Sequence, residues 1–171
     1  PPFIEDGPFG QDDHPVCGVS FLDALRYCEF VGGRLPTEAQ WQCAARGGQR
    51  FARFPWGNHS LSPEHANLCR SCPATTAVDT YPRGKNGYGL WDMCGNVWEW
   101  CLDVYEEDFY RKLRRRDLNP LNPHQRGPRT LKGGSFEAVN PSQGHCAFRW
   151  WGEHDSKLKD IGFRVVWPMQ Q

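Results

Sequence analysis

Thiols, imidazoles and a run of guanidinium groups are the side chains in this 171-residue sequence best suited to chemistry. Cys69-Arg70-Ser71-Cys72 has the spacing of half a zinc ribbon, and equally of a local redox or disulfide pair. Cys94 and Cys101 could complete four thiolate ligands, although the gap between them is not that of the usual knuckle. Cys28 and Cys43 fall on the expected buried faces of two helices, where cysteine acts as a small apolar side chain. Zinc, a disulfide framework and scattered reduced thiols all remain open at this point. The histidines are His14, His59, His65, His124, His145 and His154. None pairs at i, i+4 or supplies a His-Glu-x-x-His pattern. His145 and His154 could meet across a loop, but spacing assigns them no carboxylate partner. The basic run Arg111-Lys112-Leu113-Arg114-Arg115-Arg116 could touch phosphate. Asp103, Glu106, Glu107 and Asp108 lie close enough to offset it, so a solvated face is expected.

The elements that must position these groups are unevenly distributed. Ser20 can cap a first helix with Asp23 answering it three residues on, and Phe21, Leu25 and Cys28 recur at helical spacing up to Gly32-Gly33. Thr37 and Gln40 form a reciprocal cap for a second helix, with Trp41, Ala44 and Ala45 inward and Gly47-Gly48 as its stop. After Phe51, helix signals are scarce. Phe54-Pro55-Trp56-Gly57 and Asn86-Gly87-Tyr88-Gly89 read as turns. Alternation through Val97-Trp98-Glu99-Trp100 suits a strand, and further strands are expected over residues 130–136 and 161–167. Residues 1–15 read as an extended arm and 103–129 as a polar insertion within a single domain spanning 1–171.

Composition narrows the classes. Hydrophobic residues are 39%, charged residues 23% and formal net charge +0, which excludes charge-driven disorder and the basic footprint of a dedicated nucleic-acid binder. There is no apolar run long enough to span a membrane. Pro1 to Glu5 show no basic-then-apolar leader, which suggests a mature, trimmed or naturally short chain and gives no cellular address. Eighteen glycines and 14 prolines among 8 tryptophans, 10 phenylalanines and 5 tyrosines point to a loop-rich fold pinned by rings.

Several motifs stand in a recognisable order: Gly33-Arg34-Leu35-Pro36-Thr37-Glu38-Ala39-Gln40-Trp41, Ala44-Ala45-Arg46-Gly47-Gly48, Phe54-Pro55-Trp56-Gly57 and Asn86-Gly87-Tyr88-Gly89-Leu90-Trp91-Asp92. They continue with Gly95-Asn96-Val97-Trp98-Glu99-Trp100, Lys132-Gly133-Gly134-Ser135 and Gly162-Phe163-Arg164. From about His14 to Trp167 the sequence resembles the formylglycine-generating-enzyme (sulfatase-modifying factor) domain family. The resemblance implies an α+β fold of the C-type-lectin kind: two helices, a small twisted antiparallel sheet and much irregular structure. The stretch that family members carry before the Ser20 helix is mostly missing, so the chain reads as a short version. The fold hosts a copper-dependent oxidase, the C-terminal half of iron-dependent sulfoxide synthases, and the non-enzymatic variable proteins of diversity-generating retroelements; the site has to decide between them.

The oxidase requires two cysteines after Gly-Gly-Ser, since a soft thiolate pair binds Cu(I). Here residues 136–145 contain none, and Cys146 matches a neighbouring non-catalytic family position. The iron enzymes take their histidines mainly from a separate helical domain, for which this sequence has no space. The resemblance also implies a structural calcium site, with side-chain oxygens from Asp92 and Glu99 and backbone carbonyls from Gly95 and Val97. Such an all-oxygen set suits hard Ca²⁺; the alternative is that Asp92 caps a turn and Glu99 pairs with an arginine. A second family calcium site near Asn67-Leu68 lacks its acidic stretch, which Cys69 to Pro73 replace.

With neither copper nor iron chemistry in place, residues 133–164 become the expected variable and ligand-binding region. Its candidates are Asn140, Ser142, Gln143, His145, Phe148, Trp150, Trp151, Glu153, His154, Asp155, Ser156 and Lys157. Rings mixed with adaptable polar groups are what a paratope uses against a protein or other macromolecular ligand. At least one of Trp150 and Trp151 is expected to pack on the core. The reading is therefore a non-enzymatic binding module of the variable-protein type. The competing class is an enzyme, or an enzyme's accessory domain, working through Ser135, His145 and Arg149.

Overall fold

The computed structural model describes residues 11–114, 117–124 and 126–167. Helix α1 spans Phe21–Phe30 and α2 spans Glu38–Ala45. Both begin with complete capping boxes, Ser20 with Asp23 and Thr37 with Gln40, as their sequences predict. Strand β1 (Trp98–Val104) is followed by the one-turn helix α3 (Phe109–Lys112), β2 (Arg129–Lys132), β3 (Trp150–Gly152) and β4 (Ile161–Gly162).

The four strands form one sheet in the order β3-β2-β1-β4. Pairing is antiparallel between β1 and β2 and between β2 and β3. The β1–β4 pair is parallel, with Trp98 opposite Ile161, so the sheet is mixed rather than wholly antiparallel. Two expected strands are also shorter than 130–136 and 161–167. Gly133 and Gly134 turn β2 aside with φ of 98° and 78°, and β4 yields to extended backbone that touches Arg34 through a single bridge at Val166.

Strand β1 is the wall between two apolar layers. On one side Trp98 and Trp100 pack with Phe21, Ala24 and Cys28 of α1, Leu131 of β2 and Ile161 of β4. Trp100 donates its indole N–H to the Val19 carbonyl (3.0 Å), which satisfies the polar end of a fully buried ring. On the other side Cys101 meets Trp41 and Ala45 of α2 with Met93 and Cys146. Trp41 and Ala45 are one helical turn apart and face inward. Cys43, two residues after Trp41 and thus about 200° round the helix, faces solvent. The buried position expected for Cys43 is therefore corrected, whereas Cys28 is buried.

The loops are fixed by buried amides. Asn96 exchanges two hydrogen bonds with the Thr76 backbone, both 3.0 Å, and Asn67 donates to the Ala74 carbonyl (2.8 Å). Of the expected arm, residues 1–10 lie outside the described residues. Within the rest, the Asp13 carbonyl accepts from Val78 N and His14 Nδ1 lies 2.9 Å from Thr75 Oγ1. The insertion 103–129 is anchored at its start, where buried Asp103 accepts from Glu38 N at the head of α2 (2.7 Å) and from Asn122 N (2.9 Å). In the basic run, Arg111 pairs with Asp108 and Lys112 with Glu106, a solvated face as expected. Arg115 and Arg116 lie outside the described residues. No helix among the described residues is long and apolar enough to cross a membrane.

Candidate functional site

The segment between Trp91 and Trp100 has to turn sharply before it can enter β1. It does so through left-handed residues at Asp92 (φ 54°), Gly95 (φ 84°) and Asn96 (φ 65°). This coil brings Asp92, Gly95, Val97 and Glu99 onto the wall of one cavity of about 360 Å³, which Val78, Phe163 and Arg164 close from other parts of the chain. Burial, reinforced by the Glu99 charge, pushes the Asp92 carboxyl up to about 7, against the effect of the Asn96 amide and the Arg164 charge. Glu99 is bound differently. Arg164 donates to both its oxygens (2.5 and 2.6 Å), and Trp41 Nε1 donates to one of them (2.6 Å).

A structural calcium ion can be tested against this donor set. The side-chain oxygens of Asp92 and Glu99 and the peptide oxygens of Gly95 and Val97 would make an oxygen-only set of the kind Ca²⁺ takes, and all four residues line this wall. The Asp92 carboxylate accepts from Asn96 Nδ2 (3.3 Å). Glu99 also forms the arginine pair that was the alternative to metal binding, so it could offer an ion only the lone pairs that Arg164 and Trp41 leave. Sequence reasoning gave Arg164 no role at this site, because its partner lies 65 positions away.

The structure splits the candidate ligand-binding residues into two groups. Asn140, Ser142 and Gln143 build a turn, Pro141–Gly144: the Asn140 side chain accepts from Ser142 N (2.9 Å), and Gln143 Oε1 accepts from Val139 N and Asn140 N. His145 then packs edge-on against Phe54 (4.8 Å), and burial together with the Arg53 charge holds its imidazole below the usual range. The amide side chains of this first group are thus committed to local architecture. In the second group, Phe148, Trp150 and core Trp98 form a three-ring stack with centroids 6.1–6.4 Å apart. Trp151 pairs across from Thr130 in β2 and is 44% exposed; Glu153, His154 and Asp155 follow it, exposed. Ser156 closes a turn onto the Glu153 carbonyl, and Lys157 reaches Asp23 at the head of α1 (2.8 Å). The outward surface is the edge strand β3 and the turn after it; Trp150, though 46% exposed, is the ring that stacks on core Trp98.

The competing enzymatic trio is dispersed among separate partners. Ser135 is fully buried and donates to Asp160 (2.8 Å), His145 lies on Phe54, and Arg149 forms a bidentate pair with buried Glu38. All eight cysteines are thiols. Cys69 and Cys94 share an apolar cluster with Phe54 and Ala138, Cys101 lies in the Trp41 cluster, and Cys72 Sγ is 3.8 Å from the Tyr81 hydroxyl. The four-thiolate zinc set allowed by spacing is not assembled, and no three His, Cys, Asp or Glu side chains among the described residues gather to hold a metal ion. Burial raises the Cys94 thiol strongly and pushes Cys146 up to about 11.

Residues 6–169 match the sulfatase-modifying factor enzyme 1-like domain family. The chain is 38% identical to the formylglycine-generating enzyme of Thermomonospora curvata over 174 residues, covering 91% of this chain and 56% of the enzyme. It is 39% identical over 157 residues to the serine/threonine-protein kinase pkn1 of Chlamydia pneumoniae, covering 92% of this chain and 24% of the kinase. The chain thus spans between a quarter and about half the length of these curated relatives. Among solved structures, Treponema denticola variable protein 1 superimposes with a TM-score of 0.74 at 23% identity, covering 94% of this chain and 73% of that one. That likeness establishes the C-type-lectin-like α+β fold.

Proposed function

The chain belongs to the sulfatase-modifying factor enzyme 1-like domain family, and on that premise we propose that it is a non-enzymatic member: a variable protein of the diversity-generating retroelement type, with a C-terminal surface that catches a protein or other macromolecular ligand. One observation carries this reading. Between Gly134 and Cys146, where the family's oxidase requires paired cysteines, this chain has none. The thiols that border that segment lie in apolar surroundings: Cys94 packs against Gly144, Cys69 shares the Ala138 cluster, and burial raises both of these thiols and that of Cys146, which disfavours a metal-free nucleophilic thiolate.

The recognition surface in this reading is β3 and its following turn. Trp151 supplies a rigid ring, Glu153, His154 and Asp155 supply adaptable polar groups, and the Phe148–Trp150–Trp98 stack fixes the strand beneath them. Asn140, Ser142, Gln143 and His145 support that surface rather than form it. Calcium, in this proposal, is structural: Asp92, Gly95, Val97 and Glu99 hold it where the Trp91–Trp100 coil enters the sheet.

The enzyme reading draws support from the identity to the Thermomonospora curvata enzyme, and the test is built to separate the two. Purified protein incubated with Cu(I) and a cysteine-containing peptide is followed by oxygen consumption and elemental analysis. The binding module takes up no stoichiometric copper and consumes no oxygen above the peptide blank; tightly held copper with turnover would overturn it. Beside the gene, a reverse transcriptase and a near-copy of the stretch encoding Gly133 to Arg164 are the expected companions.

A further inference from the structure

A second cavity, of about 360 Å³, is lined by α2 and the segments around it and by no residue of β3, and the proposed binding role gives it no task. Its wall is built by residues that sequence position alone would not combine: Cys43 and Arg46 of α2, Arg50 just beyond the helix, Tyr88 from the Asn86 turn and Tyr110 of α3. The Tyr88 wall is held firmly. The Asn86 side chain donates to the Ala44 and Ala45 carbonyls at the end of α2 (2.7 and 3.2 Å) and accepts from Tyr88 N and Leu90 N. Gly47 permits this approach, since a Cβ there would lie 2.6 Å from Gly87 N.

The charge of this wall is one-sided. It carries two guanidinium groups and no carboxylate, and among the described residues neither Arg46 nor Arg50 is in an ion pair. Arg46 Nε, buried beneath the wall, has no hydrogen-bond partner among them, so no neighbouring group fixes that nitrogen. The partial negative charge at the end of a short helix is outweighed by two full positive charges nearby. Tyr88 and Tyr110, both exposed, add flat rings, Tyr110 with the Arg149 guanidinium already over one face, and the volume is at the lower end of small-ligand pockets.

We propose that this cavity is a binding site for a small aromatic oxyanion, a carboxylate or phosphate ester on a flat ring, with Arg46 and Arg50 taking the anion and the two tyrosines the ring. Guanidinium groups match both anions through paired N–H donors. Cys43, exposed on the same wall, supplies a reporter. Its alkylation by neutral iodoacetamide is followed by mass spectrometry with phenyl phosphate, benzoate or phenol present. Buried Cys28 and Cys101 show in the same spectra whether each protein is folded.

Phenyl phosphate or benzoate is expected to slow Cys43 labelling roughly fivefold once the site is about four-fifths occupied, and the stronger of the two identifies the anion. Phenol is expected to leave the rate unchanged. Exposed Arg50→Gln is expected to abolish protection while Cys28 and Cys101 stay unlabelled; Arg46→Gln does the same at the half-buried position. Absence of protection by either anion, equal protection by phenol, or protection that survives in a folded Arg50→Gln protein would overturn the assignment.

Discussion

Glu38 is a buried carboxylate on which two basic side chains converge. It has no exposed surface, yet its carboxylate accepts from Arg149 Nε and Nη2 (2.6 and 3.0 Å), and Lys132 Nζ lies 3.9 Å away. Lys132 is itself fully buried, donates to the Phe148 carbonyl (2.5 Å), and is pushed down to about 8 by burial despite the Glu38 charge. Arg149 continues outward over the rings of Tyr105 and Tyr110, each 4.9 Å away. A buried ion network is held by geometry rather than by Coulomb energy alone, so removing one partner costs more than replacing the whole pair. Arg149→Met should therefore destabilise the fold by about 3–5 kcal/mol in urea unfolding. Combining it with Glu38→Gln should recover part of that loss, with a coupling above about 1 kcal/mol. Additive effects would show that Glu38 and Arg149 are not energetically joined.

At the scale of elements, α1 depends on a local signal tied to a distant one. Asp23 accepts from Ser20 N and Ser20 Oγ in the capping box, while Lys157 pairs with it from the end of the C-terminal loop. The Lys157 and Ser20 contacts hold its carboxyl down from 3.8 to about 2. Its folded pKa lies below the unfolded one, so this stabilisation is fully present above about pH 4 and is lost as pH falls toward 2. Asp23→Asn should cost about 1 kcal/mol at neutral pH and remove that part of the acid dependence, measured by urea midpoints between pH 2 and 5. An unchanged pH profile would remove the role given to Asp23.

The Ser20 and Thr37 caps were legible because they act over three residues, and the alternation in β1 because it is local to the strand. Partner choice was not: nothing in Ile161-Gly162 reveals that it lies parallel to Trp98-Glu99, and β3 is only three residues inside a long loop. The two β3 tryptophans show the practical difference. Trp150→Ala should cost about 1–3 kcal/mol through the lost ring stack, and Trp151→Ala within about 0.5 kcal/mol, by thermal unfolding. Equal losses would mean that Trp151 supports the core and does not display.

On the scale of the whole molecule, the first cavity is where the loop-rich half is joined to the sheet. Its wall draws Pro15 from the arm, Val78 from the middle loops, the coil from Gly89 to Glu99, and Phe163 and Arg164 from beyond β4. Little regular structure links these segments; Asn96 to Thr76 and Arg164 to Glu99 and the Trp91 carbonyl are their main polar ties. An ion held by Asp92, Gly95, Val97 and Glu99 would bind the folded arrangement and not the open chain, so it would add stability in proportion to its occupancy. Calcium at about 100 times its dissociation constant contributes about 2.7 kcal/mol, which for a domain of this size raises Tm by roughly 5–10 °C. Chelation should reverse the shift. Asp92→Asn should abolish it while relieving the buried charge, so that the metal-free variant unfolds no earlier than the metal-free parent. A parent Tm indifferent to millimolar calcium would leave Glu99 and Arg164 as a purely protein-made tie, and the coil would owe its shape to Asn96 and its left-handed residues alone.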